Sequence, residues 1–502
     1  MTELNGRDAG AFARKRHGLL GYSIAALMGT TMVAGAVGTS YAQSVDLSQW
    51  SPEYVRSIAG TETFDTAATC GAVVPNDYSG RVSYWYTGPF EADPLIQHEQ
   101  DRAFWAAFAE AYPNIETDVQ SITYNELLDK FRTALLGNAA PMVVRLQILG
   151  GVEFAAKGYL NPLKPEDVGY SSADFWPGAL KSVTWDGVGY GIPTNNETMG
   201  FIWNAKIFEE AGLDPESPPA TWDDVVSYSK TIHDELGIAG YGLVAKQNAG
   251  NTPFRFMPQL WAYGGGSLDE AADNPAYQEV WINNEGSKAA LQAAYDMYVR
   301  DQSVPVSALT NTQAENQAPF IAGQLAMMIA HPAEYARMTD LAATATGADK
   351  AVADEVVANM RYGLIPAGPD RRAVVFGGSN IHVVKPEYVD GGQYDEQAVK
   401  ALICMFTSPE WSTKINWTGS NPGHLGGFKT EAMKERLDTI KFLDVTTSML
   451  PSGIPFPVIP EAPEIMNIIV PDMMQNALTG AMSVDEAADD AAAKINELLS
   501  GL

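Results

Sequence analysis

The chain is short of cysteine, of basic charge and of long apolar runs, and each shortage removes a class of function. Its 502 residues hold two cysteines, Cys70 and Cys404, too few for a thiolate metal site or a paired redox motif. A disulfide between them is open in an oxidising compartment, and two buried free thiols are the alternative. The six histidines, at positions 17, 98, 233, 331, 382 and 424, have no close metal-ligand spacing. Lys and Arg number 32 against 61 Asp and Glu, a formal net charge of −29. That leaves no basic footprint for nucleic acid and suits the solubility of a secreted protein. Catalytic signatures are missing as well: there is no Gly-x-Ser-x-Gly elbow, no His-Glu-x-x-His and no Gly-x-Gly-x-x-Gly, and the Gly264-Gly265-Gly266 run is not followed by the Lys-Ser/Thr of a phosphate loop. No cofactor or metal is therefore expected. No repeat of fixed period is present.

One apolar run stands out, and it lies at the start. Arg14, Lys15 and Arg16 precede a stretch from Leu19 to Val37 rich in small residues, and Ser40-Tyr41-Ala42 has small residues flanking a cleavage point. Residues 1–42 read as an export signal with Gln43 as the mature start, against the alternative of a membrane anchor. No cysteine sits at the cleavage point for a lipid, and Arg-Lys-Arg is not a twin-arginine pair. The expected location is the periplasm.

What remains is 46% hydrophobic and 19% charged, enough for two sizeable cores. Residues 43–78, with Trp50, Tyr54 and Phe64, read as an N-terminal extension. Arg81–Tyr86 reads as a strand ended by Gly88-Pro89. Phe104, Trp105, Phe108 and Ala111 recur at helical spacing, Ile115–Val119 is a strand, Leu127, Leu128, Phe131 and Leu135 mark a second amphipathic helix, and Met142–Val144 is a third strand. This alternation predicts a mostly parallel sheet flanked by helices. Further on, Thr221 caps a helix over Trp222–Leu236. Helical patterns also cover Phe256–Tyr263, Ser287–Val299 and Gln397–Phe406, and Ser483-Val-Asp-Glu486 is a capping box before the last helix.

Between these halves runs Gly187–Val225. A Gly-Ile-Pro193 crossing leads into the polar cluster Thr194–Thr198, then the apolar run Met199–Trp203 followed by Asn204, then Lys206-x-Phe208-x-x-Ala211-Gly-Leu and Pro219-x-Thr221-Trp-Asp-Asp224. In that order the pieces resemble the extracellular solute-binding proteins of sugar ABC transporters, the maltodextrin-binding-like solute-binding family 1. The resemblance covers residues 79–502 and extends to Phe320-x-x-Gly323-x-x-Ala326-Met. It implies an α/β periplasmic binding protein fold of two lobes joined by a multi-strand hinge, with residues 79–192 and 327–374 in lobe 1 and residues 193–326 and 375–502 in lobe 2. The 43–78 extension, which precedes the first core strand, is expected to pack on lobe 1. It also implies a monomer that holds a small-molecule carbohydrate in the cleft and delivers it to a membrane permease. A secreted carbohydrate-active enzyme, a sensory binding protein, and a binder of a polyol, acidic sugar or peptide are the alternatives.

Sugars call for planar hydrogen-bonding groups beside aromatic faces. Tyr86 and Glu91 end the first strand, Tyr86 reading equally as core. Arg145 and Gln147 follow the third strand; an arginine where relatives carry an acid opens the way to an anionic ligand group, or to an internal salt bridge. Asn196 and Glu197 lie at the lobe boundary as ligand contacts or caps. Trp261 is a candidate stacking platform, or helix core, before Gly265, whose backbone a ligand can approach. His331 is a neutral donor or a core histidine, and Gly378 and Asn380 mark the Gly-rich last crossing.

Overall fold

The computed structural model describes residues 45–88, 95–123, 126–247, 251–272 and 275–501. The expected export segment and Glu91 lie outside the described residues. Within them no helix is long and apolar enough to cross a membrane.

Eleven strands build two sheets: β1 (Gly80–Tyr86), β2 (Ile115–Ser121), β3 (Val143–Gln147), β4 (Leu160–Asn161), β5 (Ile192–Glu197), β6 (Gly200–Asn204), β7 (Ala239–Tyr241), β8 (Leu325–Ala330), β9 (Met360–Gly363), β10 (Gly377–Val384) and β11 (Asn421–Pro422). The first sheet runs β11-β5-β10-β3-β1-β2, with β4 also on β10; the second runs β9-β6-β8-β7. Alternation in β1 buries Val82, Tyr84 and Tyr86 on one face, as a half-buried strand requires. Those residues pack on Phe104 and Phe108 of a helix over Leu95–Ala111 and on Phe131, Leu402 and Phe406. In the second half Thr221 and Asp224 form a reciprocal capping box at the start of the Trp222–Leu236 helix, and Trp222 is fully buried against Tyr241.

The α/β two-lobed class holds, but both sheets are mixed. β1 runs parallel to β2 and β3, and β8 parallel to β7. β10 is antiparallel to β3 and β5, and β6 is antiparallel to β8 and β9. The pairing also corrects where the late segments belong. Sequence places the region from 327 to 374 with the first lobe, yet β8 and β9 flank β6 in the second sheet. It places the chain from 375 onward with the second, yet β10 and β11 belong to the first sheet, while the last helices, Val470–Leu478 and Val484–Ser500, pack on the Glu285–Tyr295 helix of the second half. The reason is direct crossing. β5 passes through Thr198-Met199 straight into β6, so a strand that joins β6 has changed sheet, and the chain returns only between β9 and β10.

The N-terminal extension is tied down at both ends. Ser51 caps a helix over Pro52–Ile58, and Trp50 packs edge-on against Trp176 and Phe428 with its indole N–H donating to the Thr447 carbonyl at 2.8 Å. The next helix, Thr66–Val73, carries Cys70, which forms a disulfide with Cys404 of the Glu396–Phe406 helix, Cα to Cα 5.7 Å. The alternative of two free thiols is thereby removed.

Candidate functional site

Between the sheets lies a cavity of about 580 Å³, the size of a small-molecule site. One wall comes from the ends of β1, β3 and β10 and from the loop 416–420. The other comes from residues 251–255, 312–315 and the start of a helix over Pro332–Thr344. The crossing residues Glu197, Thr198 and Met199 line it between them.

The floor is a hydrogen-bonded chain of side chains around Arg145, which projects from the middle of β3. Its Nε donates to Thr194 Oγ1 at 2.8 Å, and its Nη2 to Asn195 Oδ1 at 2.7 Å and Asn416 Oδ1 at 2.9 Å. Asn195 in turn donates from Nδ2 to Glu197 Oε1 at 2.7 Å, an oxygen that also accepts from Ser420 Oγ at 2.7 Å. One amide therefore links a guanidinium to a carboxylate. β5 alternates, so Asn195 and Glu197 share a face and Asn196 points away. Gly378 makes the floor compact: at φ +137 its missing Cβ leaves room for the Asn195 carbonyl, which a methyl group would meet at 2.2 Å, a conformation and an approach that only glycine tolerates.

The loop that supplies Asn416 and Ser420 is held from behind by Arg436, which is fully buried. Its guanidinium donates to the carbonyls of Asn416, Trp417 and Ser420. Burial pulls its pKa down to about 9, the cost of placing a charge where, among the described residues, carbonyl dipoles and no carboxylate stabilise it.

On the opposite wall His331 is the N-cap of the Pro332–Thr344 helix: Nδ1 accepts from the Ala333 N–H at 3.2 Å. That bond fixes the tautomer, so the proton of the neutral ring sits on Nε2, which has no partner. Burial lowers its pKa, against the pull of nearby Glu197 and Glu334, and keeps it a neutral donor. Gly419 of the facing loop lies against this ring; a Cβ there would come within 2.6 Å of His331 Cε1. Deeper in the same wall Arg255 and Glu334 form a buried ion pair, with Arg255 Nε and Glu334 Oε2 unpartnered. Gln313 and Thr87 also line the cavity. The half-buried ring of Phe254 is the aromatic face of this wall, edge-on to Phe456 at 4.9 Å.

Six of the sequence candidates thus meet at one cavity: Tyr86, Arg145, Gln147, Glu197, His331 and Gly378. Tyr86 is also partly core, stacked on Tyr84 with its hydroxyl donating to Asp101 at 2.8 Å; burial raises the pKa of both Tyr86 and Asp101. Four others are placed elsewhere. Trp261 is fully buried, its indole N–H donating to Glu270 Oε1 at 3.1 Å, because helical spacing aligns it with the inward residues Met257 and Leu260. Gly265 packs its backbone on Ser287, which a Cβ would strike at 2.4 Å. Asn196 donates to the Pro422 carbonyl at 2.9 Å inside the sheet, and Asn380 to Ser182 Oγ at 3.1 Å; both are buried. Phe254, Arg255, Gln313, Asn416 and Ser420 escaped the sequence reading as site residues. The first two fall short of the expected helix start at Phe256, whereas the helix begins at Asn251.

Two sheets bridged by crossing strands, with unsatisfied polar groups converging between them, define a two-lobed binding protein that takes a small solute into its cleft. Comparison with known sequences gives the family. The chain belongs to the bacterial extracellular solute-binding proteins, whose family profile matches residues 96–412, and this places its working site outside the cytoplasm. A protein of Brucella abortus (strain 2308) named as a binding protein is 25% identical over 404 residues, 78% of this chain and 88% of that one. The sn-glycerol-3-phosphate-binding periplasmic protein of Salmonella paratyphi A is 22% identical over 387 residues, 74% and 81% of the two chains. Among solved structures, an ABC transporter solute-binding protein of Thermotoga lettingae bound with α-D-tagatose has a TM-score of 0.68 at 23% identity, covering 84% of this chain and all of its own. The Mycobacterium tuberculosis glycerophosphocholine complex has a TM-score of 0.67 at 19% identity, covering 84% and 99%. These structural likenesses establish the fold.

Proposed function

We propose that the cleft captures a carbohydrate or close polyol in the periplasm and that the loaded protein hands it to the permease of an ABC importer. The observation that carries this is the set of polar side chains that line one cavity from both walls: Thr87, Arg145 and Glu197 toward one, Gln313, His331 and Glu334 toward the other. The hydroxyl groups of a sugar, each both donor and acceptor, match a lining that offers both donors and acceptors. Phe254 supplies a flat apolar face for the C–H side of a ring. Names of relatives agree: tagatose in one solved neighbour and maltose in another from T. maritima, and sn-glycerol 3-phosphate in the Salmonella protein.

Binding draws on both lobes, so a ligand favours the state in which the walls are close, and the permease reads that state. No step of turnover is needed, and the ligand leaves unchanged. The test is a thermal-shift screen of residues 43–502 against neutral mono- and oligosaccharides, polyols, acidic sugars and peptides, with the mixture analysed by chromatography afterwards. A carbohydrate should raise the melting temperature in proportion to the logarithm of its concentration and be recovered intact. Shifts confined to peptides, or a hydrolysed sugar, would overturn the proposal.

A further inference from the structure

Resting on that reading, we infer that the ligand is a hydroxylated anion, a sugar acid or a polyol phosphate, seated with its charged end on Arg145 and its hydroxyl groups toward Glu197 and His331. Arg145 reaches the cavity, and its guanidinium is held by neutral acceptors only: Thr194, Asn195, Asn416 and the Thr87 carbonyl, the last met by Nη1 at 3.5 Å. Among the described residues no carboxylate lies within ion-pair distance of it. Asp101 is the nearby acid, and it is engaged by the Tyr86 hydroxyl. The opposite wall behaves differently, since Arg255 there is paired with Glu334. A cation placed in a cleft, oriented by three side-chain amide or hydroxyl oxygens and with no carboxylate in direct contact among the described residues, is completed by an anion from outside, and its remaining Nη1 hydrogen suits an oxyanion.

The polarity of the site follows from the other end of the same chain of side chains. Glu197 accepts two hydrogen bonds at Oε1, from Asn195 and Ser420, so Oε2 is available to a ligand donor, and it repels an anion. Hydroxyl groups satisfy it, and the Nε2 proton of neutral His331 meets a hydroxyl oxygen beside it. The Asn195 amide separates the two charges, so anion and hydroxyls bind side by side in a fixed order along the floor. A neutral sugar leaves Arg145 uncompensated, and a cationic ligand meets it unfavourably.

Matched pairs test this by calorimetry on the full mature chain: D-glucuronate against D-glucose, sn-glycerol 3-phosphate against glycerol, with inorganic phosphate alone as a fifth probe. At least one charged member should bind roughly tenfold or more tightly than its neutral partner; which pair responds separates carboxylate from phosphate. Arg145→Gln should abolish that preference while Arg145→Lys keeps part of it. Should Arg145→Gln fail to fold, the salt dependence of the wild-type affinity replaces it, with the charged member weakening as salt rises and the neutral one not. Equal or tighter binding of the neutral members overturns the anion assignment and leaves the carbohydrate reading standing. Binding by none of the five, with a neutral oligosaccharide or polyol of the thermal-shift screen binding instead, overturns the anion assignment alone; no binding by the five and no carbohydrate in that screen overturns both.

Discussion

Single side chains decide how the two halves of this molecule divide between stability and binding. Trp261 belongs to stability: with its ring buried and its N–H on Glu270, Trp261→Ala should cost about 3–5 kcal/mol through the cavity it leaves. Denaturant unfolding checks this, and ligand affinity of the fraction that remains folded should be unchanged. His382 gives the fold a pH dependence. Its Nδ1 bonds the Tyr190 carbonyl at 2.8 Å, its Nε2 is buried without a partner, and burial lowers its pKa to about 4. A depressed folded value means the unfolded chain binds the proton more readily, so this contribution is complete above about pH 6.5 and is lost as pH falls toward 4. The melting temperature should therefore drop across that window, to which buried His331 and His424 contribute in the same direction, and His382→Gln should lessen the drop; an equal drop in the variant would remove His382 as a contributor.

At the scale of elements, the extension before β1 is a fastened part of the fold. The disulfide joins it to the Glu396–Phe406 helix across 334 positions of sequence, and long loops restrict the unfolded chain most. Replacing both cysteines by serine should lower stability by ~2–5 kcal/mol, measured by chemical denaturation with and without reductant; wild type under reductant should match the double variant. Helices and strands were legible in the sequence because their signals are local. The Thr221 cap, the Ser483 box and the alternation of Val82, Tyr84 and Tyr86 are each written within a few residues. Sheet membership was not, because the burial pattern of β8, β9 or β10 does not name a partner and only long-range pairing tells which sheet takes each. The cysteine pair was unreadable for the same reason. The site was half legible: Arg145 is marked by its charge inside the apolar run of β3, and Glu197 by its place in the polar cluster that ends β5. Phe254, Gln313 and Asn416 come from a helix start and loops whose approach to the cleft depends on how the whole chain folds.

On the scale of the whole molecule, the strand crossings at Thr198-Met199 and between β9 and β10 tie the two sheets, so motion of one against the other is limited to rotation about a few segments. Glu197 sits at one of these crossings and also lines the cavity, which couples occupancy of the cleft to the geometry of the hinge. The most direct test of the account is titration calorimetry of residues 43–502 with the solute that raises the melting temperature, compared with Glu197→Ala and with Ser379→Trp, whose added ring fills the cavity. The account predicts one site per chain, affinity weakened roughly 10–100-fold in Glu197→Ala and binding lost in Ser379→Trp, both variants remaining folded. Unchanged affinity in both would place the solute outside the cleft and contradict it.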